Sequence, residues 1–383
     1  MKVLTAMFRP AIGGLSCGAI IDLLSKISCP FFSDFLHAAF KTIRGAKIMK
    51  AYELQQFGVD GLVLVEKPDP QPGARQIIVK TQAVSLNYRD LMVTKGTYNP
   101  RMKLPMIPFS DGAGEVVAVG SEVKSFKVGD RVIGTFFQNW TGGEPNEAKA
   151  RTAKGGGDQP GMLAELVALE ETGAIALPEH LSYEEAATLP CAGLTAWNAV
   201  VDKGLTKAGD TVLVQGTGGV SIFAAQFAKM HGARVIATSS SDEKLARLAA
   251  MGITDGVNYK TNPDWDKAAK ELNGGAGIDH IVEVGGAGTI ERSLKAVRIG
   301  GMISVIGALA AGSGINPTLV LMKSIRLQGI FVGHREMFAQ MNRAITHHQM
   351  KPVIDRTFSF DQVSEALQLM ESGGHFGKIV VKF

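Results

Sequence analysis

The chain has 383 residues, too many for one ordinary compact domain and suited to two. Hydrophobic residues at 45% and charged residues at 20% describe a globular chain with ample core, not a disordered one. Of the 40 basic and 36 acidic residues, Lys2, Arg9, Lys26, Lys41, Arg44 and Lys47 and only Asp22 and Asp34 fall in the first 48, which accounts for the whole net +4; the neutral remainder gives no support to a nucleic-acid partner.

Residues 1–48 look foreign to the rest of the chain. Their longest uncharged run, residues 10–21, is short of the roughly 20 apolar residues a membrane helix requires, so no membrane partner is expected. The segment reads in two ways. As a basic, Ser-containing leader it would direct the protein to mitochondria; as a dispensable extension before a functional start at Met49 it leaves a cytoplasmic protein, and Asp22, Asp34 and the aromatics depart from an ideal leader. Two of the three cysteines, Cys17 and Cys29, lie here, and Cys191 alone lies in the body. This excludes a disulfide framework there and suits a reducing compartment. In Leu189-Pro190-Cys191-Ala192 the thiol reads as a small core group.

From residue 49 to about 175, short strands are predicted at 50–54, 76–84, 114–119, 131–134 and 163–169, separated by turn clusters such as Pro68-Asp69-Pro70-Gln71-Pro72-Gly73 and Val128-Gly129-Asp130. The pattern predicts a compact, mainly β domain. Residues 139–161 interrupt it with a polar, glycine-rich insertion centred on Gly155-Gly156-Gly157, readable as a surface loop or as the wall of a cleft. Ser182 and Glu185 then stand at capping-box spacing and start a helix.

Residues 211–232 organise the remainder. The apolar run Val212-Leu213-Val214 predicts a buried parallel strand, and Val220, Phe223, Ala224, Phe227 and Ala228 share one helix face up to the terminating Gly232. Between them Gly216 and Gly218 hold the first two glycine positions of a dinucleotide-binding turn, with Ser221 at the third. Such a turn lets backbone amides at a helix N-terminus hold a pyrophosphate. A second strand at 233–238 and a helix from Ser241-Asp242-Glu243 to Gly252 extend the series, and strands at 256–259, 280–283, 302–306 and 325–331 bring the sheet to about six. Helices near 336–347 and 360–371 and a strand at 378–381 end the chain and are placed to return to the first domain.

Asn87-Tyr88-Arg89-Asp90, Gly112-Ala113-Gly114-Glu115-Val116, Val128-Gly129-Asp130-Arg131-Val132, Leu189-Pro190-Cys191-Ala192-Gly193-Leu194-Thr195-Ala196 and Gly216-Thr217-Gly218-Gly219-Val220 together resemble the successive signatures of the medium-chain dehydrogenase/reductase superfamily. The likeness spans residues 49–383. It implies an α/β protein with a chaperonin-10-like, mainly β catalytic domain (49–175 and 334–383) and a Rossmann domain with a doubly wound parallel sheet (176–333), associating as a homodimer. Zinc-dependent members carry a cysteine where this chain has Asn87 and a His-Glu pair where it has Ser110-Asp111. No His or Cys occurs between residues 49 and 179, so no metal site is expected. The resemblance is to the zinc-independent quinone oxidoreductase and alcohol dehydrogenase-like branch.

In that likeness Asn87 lies beside the nicotinamide, and Thr195, Thr217, Gly218, Gly219, Val220, Gly285, Phe331 and Val332 contact the cofactor. The second strand ends in Ser239-Ser240-Ser241 without an acid for the ribose, and Lys244 and Tyr259 match residues of NADPH-binding relatives; NADPH is expected over NADH, with Ser240, Lys244 and Tyr259 at its phosphate. Asp90 orients its neighbours or makes a structural bond. Tyr98 resembles in position the proton donor of enoyl-thioester reductases, or is a core or surface tyrosine. His347 and His348 are adjacent and cannot share a helix face, and His375 lies near the end that reaches the cofactor in relatives. The expected activity is zinc-independent hydride transfer between a nicotinamide and a small carbonyl, alcohol or quinone. Reduction of an α,β-unsaturated carbonyl or enoyl thioester is one rival, and a non-catalytic NADPH-binding protein another.

Overall fold

A computed structural model of the chain describes residues 47–307 and 315–383. The two readings of the N-terminal extension, with Cys17 and Cys29, concern residues outside the described ones. A ribbon of β1 (Ile48–Leu54) and β2 (Leu62–Pro68) forms a small two-stranded sheet, and two larger sheets organise the rest. The first of these is built from β3 (Gln76–Leu86), β4 (Asp111–Val119), β5 (Arg131–Gly134), β6 (Leu166–Glu170), β7 (Ala174–Ala176), β14 (Ile354–Ser359) and β15 (Lys378–Lys382). Its order is β14-β15-β3-β4-β5-β7, with β6 also on β3. β3 is buried along most of its length because it pairs with β4, β6 and β15. Its Ile77, Val79, Val84 and Leu86 join Val116, Leu169, Ile379 and Val381 in one core.

The second sheet has six strands, β8 (Thr211–Gln215), β9 (Arg234–Ser239), β10 (Asp255–Asn258), β11 (Ile278–Glu283), β12 (Val297–Val305) and β13 (Arg326–Gly329), in the order β10-β9-β8-β11-β12-β13. Every pair is parallel. Numbered by appearance this is 3-2-1-4-5-6, the dinucleotide-binding order, and the order reverses between β8 and β11. β8 is buried at all five residues, as a central parallel strand covered on both faces must be. The helix after it, Gly219–Met230, buries Phe223, Ala224, Phe227 and Ala228 against the sheet and stops before Gly232, whose φ of 76° only glycine adopts freely. Ser182 and Glu185 form the predicted capping box.

Some elements differ from the sequence expectation. β4 begins at Asp111 rather than 114, and Tyr88–Thr94 is a seven-residue helix. β2, β7 and β14 lack the strong alternation that announces a strand; pairing supplied by neighbours forms them. The insertion is packed at both ends: Trp140 and Lys154 are buried, and a Cβ added to Gly161 would stand 1.9 Å from the Pro108 carbonyl oxygen. Among the described residues no helix is long and apolar enough to cross a membrane.

Candidate active site

The glycine turn opens at the carboxyl end of β8. Gly216 has φ 69°, and a Cβ built on Gly216 or Gly218 meets no atom within 4 Å, so the turn faces open space. Gly218 caps the helix without a side chain, leaving the amides of the first turn to an incoming anion. Ser221, at the third glycine position, is buried and donates to the Gln215 carbonyl at 2.6 Å. The hydroxyl therefore ties helix to strand where a glycine would let them approach.

Beside this turn, Tyr259 donates its amide to Ser239 at 2.9 Å, placing Tyr259 against the end of β9 with Ser240 next to it. Asp242 accepts from Asn258 at 2.8 Å, a helix-start contact. Lys244 reaches from the first turn of helix Asp242–Ala250 to the carbonyls of Gly373 (3.0 Å) and His375 (2.9 Å). Burial lowers its pKa from the ordinary lysine value. His375 is pushed down to about 4, by burial first and then by Lys378 and Lys244.

On the other wall, Gly285 gives its amide to Glu283 at 2.9 Å, and Glu283, fully buried at the end of β11, also accepts from Gln215, Gly286, Thr289 and Ser293. Val332 has φ 46°, unusual for a β-branched residue, and its carbonyl accepts from Asn198 at 2.8 Å. Phe331 is half-exposed and its ring lies 5.0 Å from Phe137. Thr195 is buried in a helical turn just beyond Cys191.

Asn87 caps helix Tyr88–Thr94. Its amide donates to Asp90 Oδ2 at 2.8 Å, and its side-chain oxygen accepts from Lys378 Nζ at 2.6 Å. The other carboxylate oxygen of Asp90 has no hydrogen-bond partner, and burial raises this carboxyl to about 7 despite Arg89 4.0 Å away. Arg89 donates to the Lys154 carbonyl at 2.9 Å, with its guanidinium 4.8 Å from both the Tyr98 and Phe136 ring centres. Tyr98 is thus half-exposed under a cation. Asp111 accepts from Ser110 Oγ at 2.7 Å and from the Cys191 amide at 3.0 Å. Burial raises its pKa, opposed by Lys378, and burial likewise pushes the Cys191 thiol well up. Asn87, Asp90, Asp111 and Lys378, with the part-buried Cys191 beside them, therefore form one polar group.

Residues 73–179 match the alcohol dehydrogenase GroES-like domain, and residues 219–347 match the zinc-binding dehydrogenase domain. A zinc-type alcohol dehydrogenase-like protein of Schizosaccharomyces pombe is 42% identical over 336 residues, covering 85% of this chain and 96% of its own. The chain belongs to the medium-chain dehydrogenase/reductase superfamily. Within this superfamily, quinone oxidoreductase of Rattus norvegicus is 28% identical over 347 residues, covering 88% of this chain and 98% of its own. The crystal structure of an NAD-dependent alcohol dehydrogenase, 34% identical, superposes with a TM-score of 0.81 over 88% of this chain and all of that one. The medium-chain fold thus accounts for both sheets, and the chain is an oxidoreductase of a nicotinamide-using superfamily.

The superfamily motifs include Asn87, Arg89 and Asp90 but do not point to Lys378. Lys378 heads an apolar strand, where a lysine ordinarily reads as a solvated end; the only signal is its place in Gly377-Lys378 before Ile379-Val380-Val381. Among the described residues, no three or more His, Cys, Asp or Glu side chains converge to hold a metal.

Proposed function

We propose that this superfamily member transfers a hydride between NADPH and a small carbonyl, alcohol or quinone without zinc. The observation that carries the reading is the end of β9. Ser239, Ser240 and Ser241 leave no carboxylate for a ribose 2′-hydroxyl, Asp242 is engaged by Asn258, and Lys244 and Tyr259 stand alongside to receive a phosphate. The open glycine turn suits the pyrophosphate, with Thr217, Gly218, Gly219 and Val220 around it. Gly285, Phe331 and Val332 would border the cofactor on the far wall, and Thr195 and Asn87 its nicotinamide end.

One domain match carries the description zinc-binding, yet the donors here do not suit that ion. Asn87 offers its oxygen to an ammonium, Ser110 is committed to Asp111, and the Cys191 thiol is held in its neutral form by burial. The amine of Lys378 occupies the site instead; burial lowers its pKa, opposed by Asp111 and Asp90.

Bound NADPH supplies the hydride. The protein's part is to orient, to exclude water and to favour charge on the substrate oxygen. Asn87, held through its backbone by Asp90 and through its side chain by Lys378, is the fixed amide of the site. Asp90, with its carboxyl near 7, holds a proton on a buried oxygen around neutrality. Tyr98 keeps a place at the rim under Arg89. A homodimer through the outer edge of β13 belongs to the same reading, supported by that edge, unpaired among the described residues, and by Leu321 and Met322, 76% and 73% exposed in the helix leading to it.

Titration of the purified protein with NADPH and NADH, then turnover of a quinone, an aldehyde, an enone and an enoyl thioester, tests the reading. Tighter NADPH binding with chelator-resistant turnover of a carbonyl or quinone is expected. A preference for NADH, or activity lost to a chelator, would overturn it.

A further inference from the structure

Lys378 belongs to a six-residue stretch that touches both ends of the cofactor cleft. At one end Lys244 donates to the carbonyls of Gly373 and His375. In the middle Gly377, with φ 84°, donates to Thr217 at 2.8 Å and bridges Gly218 in parallel fashion, so the stretch is joined to the glycine turn by backbone. Then the Lys378 side chain runs past the start of the helix: a Cβ added to Gly219 would lie 2.5 Å from its Cδ. It ends on the Leu86 carbonyl (2.5 Å) and on Asn87 Oδ1 (2.6 Å), with only 3% of the residue exposed.

The chemistry of these partners fixes an orientation. An ammonium only donates, so the oxygen of the Asn87 carboxamide must face Lys378 and the amide nitrogen must face away. That nitrogen makes no well-aligned hydrogen bond, although its approach to Asp111 helps to hold that carboxyl down. Asn87 also caps its helix, with its backbone amide donating to Asp90, and the bond from Lys378 to its side-chain oxygen comes in addition to that cap. A buried cation whose bonds end on this amide and its neighbouring carbonyl serves placement of the amide.

We infer that Lys378 is a positioning residue for hydride transfer: it locks the Asn87 carboxamide in one orientation and fastens it to the glycine turn that receives the cofactor. The inference rests on the proposed NADPH-dependent activity for its kinetic readout, and on the ligand-free protein for a second one.

The test combines Lys378→Met, Asn87→Ala and the double variant. Lys378→Met is expected to lower kcat by about ten- to a hundredfold, the effect of one charge-assisted hydrogen bond, and to change the NADPH Kd by less than about threefold. The double variant is expected to be no slower than Asn87→Ala alone, because Lys378 acts through Asn87. Lys378→Arg, which can still donate to both oxygens, is expected to recover part of kcat, and the cycle run with Arg gives the same reading if the Met variant does not fold. In the cofactor-free protein, hydrogen exchange of the amides from Asn87 to Asp90 is expected to quicken in Lys378→Met while the helix after β8 is unchanged. Additive losses in the double variant, a loss confined to Kd or KM, or unaltered exchange would overturn the inference. A wild-type protein that binds NADPH and turns nothing over would overturn the proposed activity instead, and exchange would still decide on Lys378.

Discussion

Replacing Lys244 by Ala separates the two cofactors. Its ammonium would meet the 2′-phosphate of NADPH and nothing comparable on NADH, and a hydrogen bond to a charged group contributes about 1.5–3 kcal/mol. Two features of the structure hold the gain near the lower bound. Lys244 already donates to the carbonyls of Gly373 and His375, so phosphate replaces acceptors instead of relieving a bare cation, and the side chain is only part-buried and exposed to screening by salt. The expected loss for NADPH is therefore about 1.5 kcal/mol, roughly tenfold in Kd. Freeing two carbonyls also loosens the stretch after Gly373, and that cost falls on both cofactors alike. The ratio of the two dissociation constants isolates the phosphate contribution. Fluorescence titration with each cofactor at low and high salt measures it. A tenfold fall in the NADPH preference, smaller at high salt, is expected; an unchanged ratio would refute the assignment of Lys244 to the phosphate.

Four further outcomes are expected. The Asp90 carboxyl, raised by burial from its ordinary 3.8 to about 7, binds its proton more tightly in the folded than in the unfolded chain. Its contribution to stability is full below pH 4 and is lost as pH rises through 7. Asp90→Asn should gain on the wild type by roughly 3 kcal/mol between pH 5 and pH 8, read from urea midpoints at the two values; parallel pH profiles would contradict this. Tyr98→Phe keeps the ring under Arg89 and should leave quinone and aldehyde turnover within about twofold, whereas a general acid contributes roughly a hundredfold or more, so such a loss would make Tyr98 the proton donor. Gly161→Ala places a Cβ against backbone that cannot yield and should cost about 3 kcal/mol in a denaturation experiment, an outcome a mobile loop would not give. Prolonged treatment with a zinc chelator should leave turnover unchanged, since Asn87 Oδ1 and Ser110 are already committed within the protein.

Local patterns make the cofactor sheet legible. Residues 211–232 show a strand, a glycine turn and an amphipathic helix face in order, and each of these depends on neighbours within a few positions. Ser221 is readable as a tolerable departure from glycine, though its bond to Gln215 is not. The catalytic side is less legible for a physical reason. Helix Tyr88–Thr94 is too short to display a period, and Asn87 gains its orientation from a lysine 291 positions later in the chain. Lys378 reads as an ordinary charged strand end until the fold encloses it. Asp111 stands out in the sequence as a departure from the zinc-binding pattern, but its grip on the Cys191 amide joins segments 80 residues apart. The serine-rich strand end draws attention to Lys244 for a phosphate, and its ligand-free partners on Gly373 and His375 add a competition that no spacing rule discloses.

The position of β15 imposes an order of assembly during synthesis. This strand lies between β14 and β3, and Ser85 of β3 donates to Ile379 across 294 positions. The cofactor sheet, in contrast, is complete once Gly329 has been made. A ribosome-bound chain can therefore finish the parallel sheet while β3 still exposes the edge reserved for β15, leaving a template for mispairing until β15 emerges. Loss of the five residues of β15 should consequently be more harmful to folding yield than their number suggests, and most harmful at high temperature, where an open edge aggregates before it closes.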